Sequence, residues 1–202
     1  MPFYIPTRFD TAIGACPHNA IIGGGRIRKL RRSKIAGKPE YDFQIAGIID
    51  RMPGGVGKRD GEFDNGQGEL ADAAATLDWL EKENFENSQC WISGFSFGSL
   101  IAMQLLMRRP EINRFISISP QPNVYDFSFL SPCPTSGLVI CGKEDELVPP
   151  EHIKELNNKL SAQKGIKAEF QIIPDANHFF TKSSTVLIKS LDKYIKQETT
   201  LF

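Results

Sequence analysis

Apolar and polar positions alternate along this chain between two rhythms. Apolar-rich stretches of five to eight residues, read as strands, fall over residues 43–50, 90–95, 115–119, 137–141 and 168–173. Between and after them lie stretches with helical spacing: 68–82, where Leu70, Ala73, Ala74, Leu77, Trp79 and Leu80 share a face, then 97–108, 150–162 and 184–197. Pro110 ends the second of these and Pro120 closes the strand at 115–119. A short strand is expected over 11–16, and loop from Cys16-Pro17-His18-Asn19 through Gly23-Gly24-Gly25. Strands alternating with helices predict an α/β protein: a mostly parallel sheet with helices on both faces. Chemistry in such sheets gathers on the loops beyond the carboxyl ends of the strands.

Composition narrows the class. A chain of 202 residues fits one domain, 1–202, with a sizeable core. Twenty-four Lys and Arg balance twenty-four Asp and Glu, so no whole-protein field attracts nucleic acid or an anionic membrane. The exception is local, a basic run over 26–38 that reads as a solvated segment rather than a nucleic-acid patch. No apolar run reaches membrane-spanning length, and Met1-Pro2-Phe3-Tyr4 does not open a signal peptide. Cys16, Cys90, Cys133 and Cys141 lack C-x-x-C spacing and are expected to be buried apolar residues of a reduced, cytoplasmic protein. A P-loop fails at residues 52–59, because Met52 stands where the first glycine belongs and Arg59 where a hydroxyl should hold magnesium.

The chemistry centres on Gly94-Phe95-Ser96-Phe97-Gly98, a G-x-S-x-G pentapeptide between an apolar strand and a helix. That context holds a serine hydroxyl clear of the sheet, where a neighbouring base activates it. It also sets the backbone N–H of Phe97, at the helix start, where an oxyanion would form. A serine nucleophile needs a base and a carboxylate to orient the base. Of three histidines, His152 lies near a helix start between Glu151 and Lys154, and His18 precedes the serine. His178 follows the strand at 168–173, at the correct sheet end and in the order Ser, Asp, His. The acid comes from Glu144-Asp145-Glu146, just past the strand at 137–141. Asp145 is chosen for its shorter arm, with Asp175 in the histidine's own loop as the alternative.

Together with Asp60-Gly61-Glu62-Phe63-Asp64-Asn65-Gly66, Leu77-Asp78-Trp79-Leu80, Pro120-Gln121-Pro122-Asn123 and Asn177-His178-Phe179-Phe180, these motifs resemble the α/β-hydrolase superfamily. More narrowly, the chain is similar to the small, lidless bacterial hydrolases related to dienelactone hydrolase, over about residues 55–195. The resemblance implies Ser96 as nucleophile, Asp145 as acid and His178 as base, with no metal and no organic cofactor. It implies a second oxyanion donor from the N-terminal quarter, assigned to Asn19 or Ala20. Residues 1–53 depart from the pattern, either as a divergent segment or as the product of a frameshift upstream of Gly54. The connection from Ser119 to Gly137 is too short for a lid, so an open site for a small soluble acyl substrate is expected. Tyr125, Phe127 and Phe129 stand in that connection as pocket walls or as aromatic anchors pinning the loop to the core. The alternative to a serine esterase is a catalytically impaired scaffold that serves as a binding protein.

Overall fold

The computed structural model describes residues 19–23, 45–46, 66–84 and 90–199. The strand expected over 11–16, the basic run and Cys16 lie outside these residues. Six parallel strands form one sheet in the order β2-β1-β3-β4-β5-β6. They are β1 (Asn19–Gly23), β2 (Ile45–Ala46), β3 (Cys90–Phe95), β4 (Ile112–Ile118), β5 (Gly137–Gly142) and β6 (Ala168–Ile173). The helices are α1 (Gln67–Asn84), α2 (Phe97–Leu106), α3 (Pro150–Ser161) and α4 (Ser184–Thr199). Among the described residues, no helix is long and apolar enough to cross a membrane.

Parallel strands need covering on both faces, and the strand side chains divide accordingly. Cys90, Ile92, Phe115, Val139 and Cys141 pack with α1, α2 and α3. Trp91, Ile116, Ile118, Leu138 and Ile140 point the other way, onto Leu187, Leu191, Tyr194 and Ile195 of α4. This strict alternation within continuous apolar runs is why β3, β4 and β5 read as strands buried on both sides. Cys90, Cys133 and Cys141 are buried, in line with their reading as apolar residues.

Two elements differ from the sequence reading. β1 occupies Asn19–Gly23, where loop was expected. Its apolar content is only Ala20-Ile21-Ile22 between Asn19 and the glycines, too short a run to register as a strand until β3 lies beside it. The described part of β2, Ile45–Ala46, falls inside the strand expected at 43–50, whose other residues lie outside those described. β4 begins three residues early, at Ile112. The polar pair Asn113 and Arg114 disguises that start. Asn113 Oδ1 accepts the Cys90 N–H at 2.8 Å, and Arg114 Nε meets Glu198 Oε2 at 3.1 Å.

Candidate active site

Ser96 is the residue between β3 and α2, with φ 55° and ψ −121°. A side chain at this conformation is costly, of order 1–3 kcal/mol, and persists only when its surroundings enforce it. Here they do. The Ser96 N–H donates to the Ile118 carbonyl of β4 at 2.9 Å, and the Ser96 carbonyl accepts the Ser99 N–H at 3.0 Å. The turn is tight enough that a Cβ on Gly94 would lie 2.2 Å from the Gly98 carbonyl oxygen, so glycine is required there. Beneath it, the buried hydroxyls of Ser99 and Ser117 are hydrogen-bonded to each other and tie the first turn of α2 to β4. Nothing local in the sequence marks that pair, whose members are far apart in the chain.

The acid and the histidine arrive on the loops after β5 and β6, which are stitched together by backbone. Lys143 N–H donates to Ile173 O, and Glu144 N–H to Ala176 O, each at 2.9 Å. Asp145 Oδ1 accepts the N–H groups of Leu147 (3.0 Å) and Val148 (2.9 Å), which fixes the carboxylate. His178 Nδ1 lies 2.8 Å from Asp145 Oδ2, and its Nε2 lies 2.9 Å from Ser96 Oγ. An ionised carboxylate only accepts, so Nδ1 carries the proton and Nε2 is left to accept from the serine hydroxyl. His178 has no exposed surface, being packed against Phe95 (ring centroids 5.3 Å apart) and edge-on to Phe179 (5.0 Å). Burial alone would raise the Asp145 carboxyl. The hydrogen bond from His178, with those from Val148 and Leu147, outweighs burial and holds it below the ordinary carboxylate range. On the same strand end, burial, reinforced by the Asp145 charge, pushes the Cys141 thiol up to about 12, leaving it inert.

The structure therefore brings Ser96, His178 and Asp145 into one hydrogen-bonded chain, though they are dispersed over 82 residues of sequence. The other acids stay outside it. Glu144, Glu146 and Asp175 are exposed, and Glu146 reaches only the backbone N–H of His178, at 3.3 Å. His152 is exposed on α3, and His18 lies outside the described residues.

Two assignments require correction. Asn19 and Ala20 pair with Cys90 and Trp91, at the start of β3, whereas Ser96 follows its end. At about 3.3 Å per residue, five to six residues place them roughly 17–20 Å along the strands from the serine, at the wrong end of the sheet for an oxyanion donor. The strand end level with the elbow is Gly23, opposite Gly94. Phe127 is the second correction. It is 6% exposed and belongs to the core, and Phe129 stacks on it with centroids 6.0 Å apart. Both act as anchors for the loop. Only Tyr125 faces the elbow, its ring 5.6 Å from that of Phe97. Phe127→Ala is thus expected to cost about 3–5 kcal/mol of stability, and Tyr125→Ala clearly less. Urea unfolding of the two variants checks this; equal losses would return Phe127 to the surface.

A parallel sheet with a serine elbow after its third strand, and acid and histidine on later strand ends, is the α/β-hydrolase arrangement. The chain belongs to the dienelactone hydrolase family, whose pattern it matches over residues 59–199. The match begins downstream of residues 1–53. An uncharacterised protein of Rickettsia prowazekii (strain Madrid E) is 48% identical over 145 residues, 70% of this chain. The chain covers 61% of the length of that curated relative. Among solved structures, a protein of unknown function from Agrobacterium tumefaciens superposes with TM-score 0.76 at 37% identity, over 92% of this chain and 87% of that one. A serine hydrolase without a lid from Xanthomonas campestris gives TM-score 0.70 at 25% identity, over 90% and 82% of the two chains.

Proposed function

We propose that this protein is a serine hydrolase of esters or related acyl bonds of a small soluble substrate, acting through Ser96, His178 and Asp145. The observation that carries the proposal is the unbroken relay from Ser96 Oγ through both ring nitrogens of His178 to Asp145. As Ser96 Oγ attacks the substrate carbonyl, His178 Nε2 takes the hydroxyl proton. The Oγ–C bond forms while Asp145 stabilises the imidazolium at Nδ1. Collapse of the tetrahedral species breaks the bond to the leaving group, which departs with the proton from His178. Water, deprotonated by the same histidine, then releases the acyl group from Ser96. The Phe97 N–H at the start of α2 stabilises the developing oxyanion. Gly23, opposite Gly94, marks the end of β1 from which a second donor is expected, each such donor being worth on the order of 100-fold in rate.

The test is labelling by a fluorophosphonate serine probe. Wild type is expected to react at Ser96, with labelling suppressed in His178→Ala. Absence of labelling in a folded wild-type protein would replace the hydrolase with the inert scaffold.

Asp145→Asn supplies a second check. Hydrolysis of a short acyl ester is expected to fall about 10⁴-fold in kcat, because the amide no longer fixes the productive tautomer. Stability carries a linked signature. The native carboxyl is lowered relative to the unfolded value near 3.9, so its contribution is complete above about pH 4. It is lost as pH falls through the native value. Acid unfolding of Asp145→Asn should accordingly be shallower below about pH 4 than that of wild type. Superimposable acid limbs would contradict a lowered carboxyl.

A further inference from the structure

Among the described residues five large apolar side chains stand exposed: Val124, Leu147, Ile172, Phe179 and Val186. Ile172 is on the outer strand β6 and Val186 on α4. The other three belong one each to the loops after β4, β5 and β6, the last two of which carry Asp145 and His178. The loops of Val124 and Leu147 are bonded to each other, and Leu147 and Phe179 each adjoin a triad residue. Asn123, adjacent to Val124, donates from Nδ2 to the Leu147 carbonyl at 3.1 Å. Leu147 in turn donates its N–H to Asp145 Oδ1, and Phe179 lies edge-on to the His178 ring.

Exposed apolar surface costs free energy in water, and when it gathers beside a site it marks a binding surface. Leu147 and Phe179 keep 45% and 40% of their surface in solvent, although each adjoins a triad member whose own side chain is buried. The charge of the rim agrees. Glu146, between Asp145 and Leu147, holds the His178 backbone N–H and forms no ion pair among the described residues. An anionic substrate arriving here would meet an uncompensated carboxylate.

We propose that the ester cleaved at Ser96 is neutral and carries an apolar chain of several carbons, which lies over Val124, Leu147 and Phe179. The proposal rests on the serine-hydrolase reading and adds the substrate class to it. The occupant is the substrate's own chain, since Leu147 and Phe179 directly adjoin Asp145 and His178, the partners of Ser96. Each methylene laid on such a surface, half to fully withdrawn from water, raises kcat/KM about two- to fourfold.

The test begins with fluorophosphonate labelling of Ser96, which judges the hydrolase reading independently of substrate. Two series then follow on the labelled protein. One is p-nitrophenyl esters from acetate to octanoate, in which the chain is on the acyl side. The other is alkyl acetates from ethyl to octyl, in which it is on the alcohol side. The expected result is a rise of two- to fourfold per methylene in at least one series up to about six carbons. That slope should flatten in Val124→Gln/Leu147→Gln, with the probe still reacting. Wild type should also cleave p-nitrophenyl hemiglutarate at least tenfold more slowly than p-nitrophenyl valerate. Flat slopes in both series on a labelled enzyme would overturn the inference and leave the hydrolase standing. So would a slope the double variant does not change, or equal rates on the charged and neutral esters. If sedimentation shows a wild-type dimer that the double variant dissociates without altering the slope, the patch is a subunit interface and the inference fails. No labelling of Ser96 removes the hydrolase and the inference together.

Discussion

Replacing Ser96 by alanine is expected to lower kcat for a short acyl ester by a factor on the order of 10⁵–10⁶ and to abolish fluorophosphonate labelling. Losses of that size follow when the attacking atom itself is removed, because the remaining groups only bind and polarise the substrate. Stability should respond separately from activity. Alanine keeps the costly backbone conformation at φ 55° and gives up one hydrogen bond, that to His178 Nε2. Glycine gives up the same bond but is free of the conformational cost, about 1–3 kcal/mol. Ser96→Gly should therefore be the more stable of two equally inactive proteins. Thermal unfolding beside an ester assay reads both effects. Substantial turnover by Ser96→Ala would move the nucleophile elsewhere. A glycine variant no more stable than the alanine variant would mean the turn stores no strain.

Gly142→Ala should cost about 3–5 kcal/mol of stability, a size reserved for clashes the fold cannot absorb. Its Cβ would lie 2.1 Å from the Ala176 carbonyl oxygen, 2.7 Å from the Ala176 carbonyl carbon and 2.9 Å from the Asn177 oxygen. All three are backbone atoms, so no side chain can swing away. Relief requires the β5 and β6 loops to part, which breaks the bond from Glu144 N–H to Ala176 O. Those loops carry Asp145 and His178. Even the folded fraction should lose about 100-fold in rate, since a displacement near 1 Å is enough to spoil a catalytic geometry. Gly165→Ala is the control. Its φ of +83° imposes a backbone cost of about 1–2 kcal/mol, yet nothing lies within 4 Å of the added methyl. Chemical denaturation should rank the two clearly apart. A Gly142 variant within about 1 kcal/mol of wild type would show that the loops are not locked together.

Much of the architecture was legible because its signals are local. The apolar runs of β3 and β5 need only their own residues to declare burial on both faces, and they lie where expected. The elbow is equally self-contained: strand, glycine, serine, glycine and helix occupy adjacent positions, and Gly94 meets Gly98 within one turn. Once that turn was placed, the rule that loops follow strand ends on one side of a parallel sheet led to Asp145 and His178. The structure joins them to Ser96 by hydrogen bonds.

Failures came where the answer depends on a neighbour in space. β1 is too short to announce itself, and its register against β3 decided which of its ends approaches the serine. Chain position alone favours Asn19 and Ala20, whereas the register sets them at the opposite end of the sheet. Phe127 and Tyr125 are two residues apart in one aromatic loop, and no periodicity distinguishes the core anchor from the ring that faces Phe97. The apolar rim was invisible for the same reason: Leu147 and Phe179 look like ordinary loop residues until their exposure beside buried Asp145 and His178 is known.

The sequence by itself thus determined an α/β alternation, the strained serine turn and the sheet edge on which acid and histidine must lie, because backbone sterics and hydrophobic periodicity act over a few neighbouring residues. Only the tertiary structure decided which carboxylate meets the histidine, which hydroxyls brace the elbow helix, which end of β1 reaches the site and which apolar side chains remain in water. Those outcomes depend on distances between loops remote in the chain, set by strand register and by close backbone contacts such as that at Gly142.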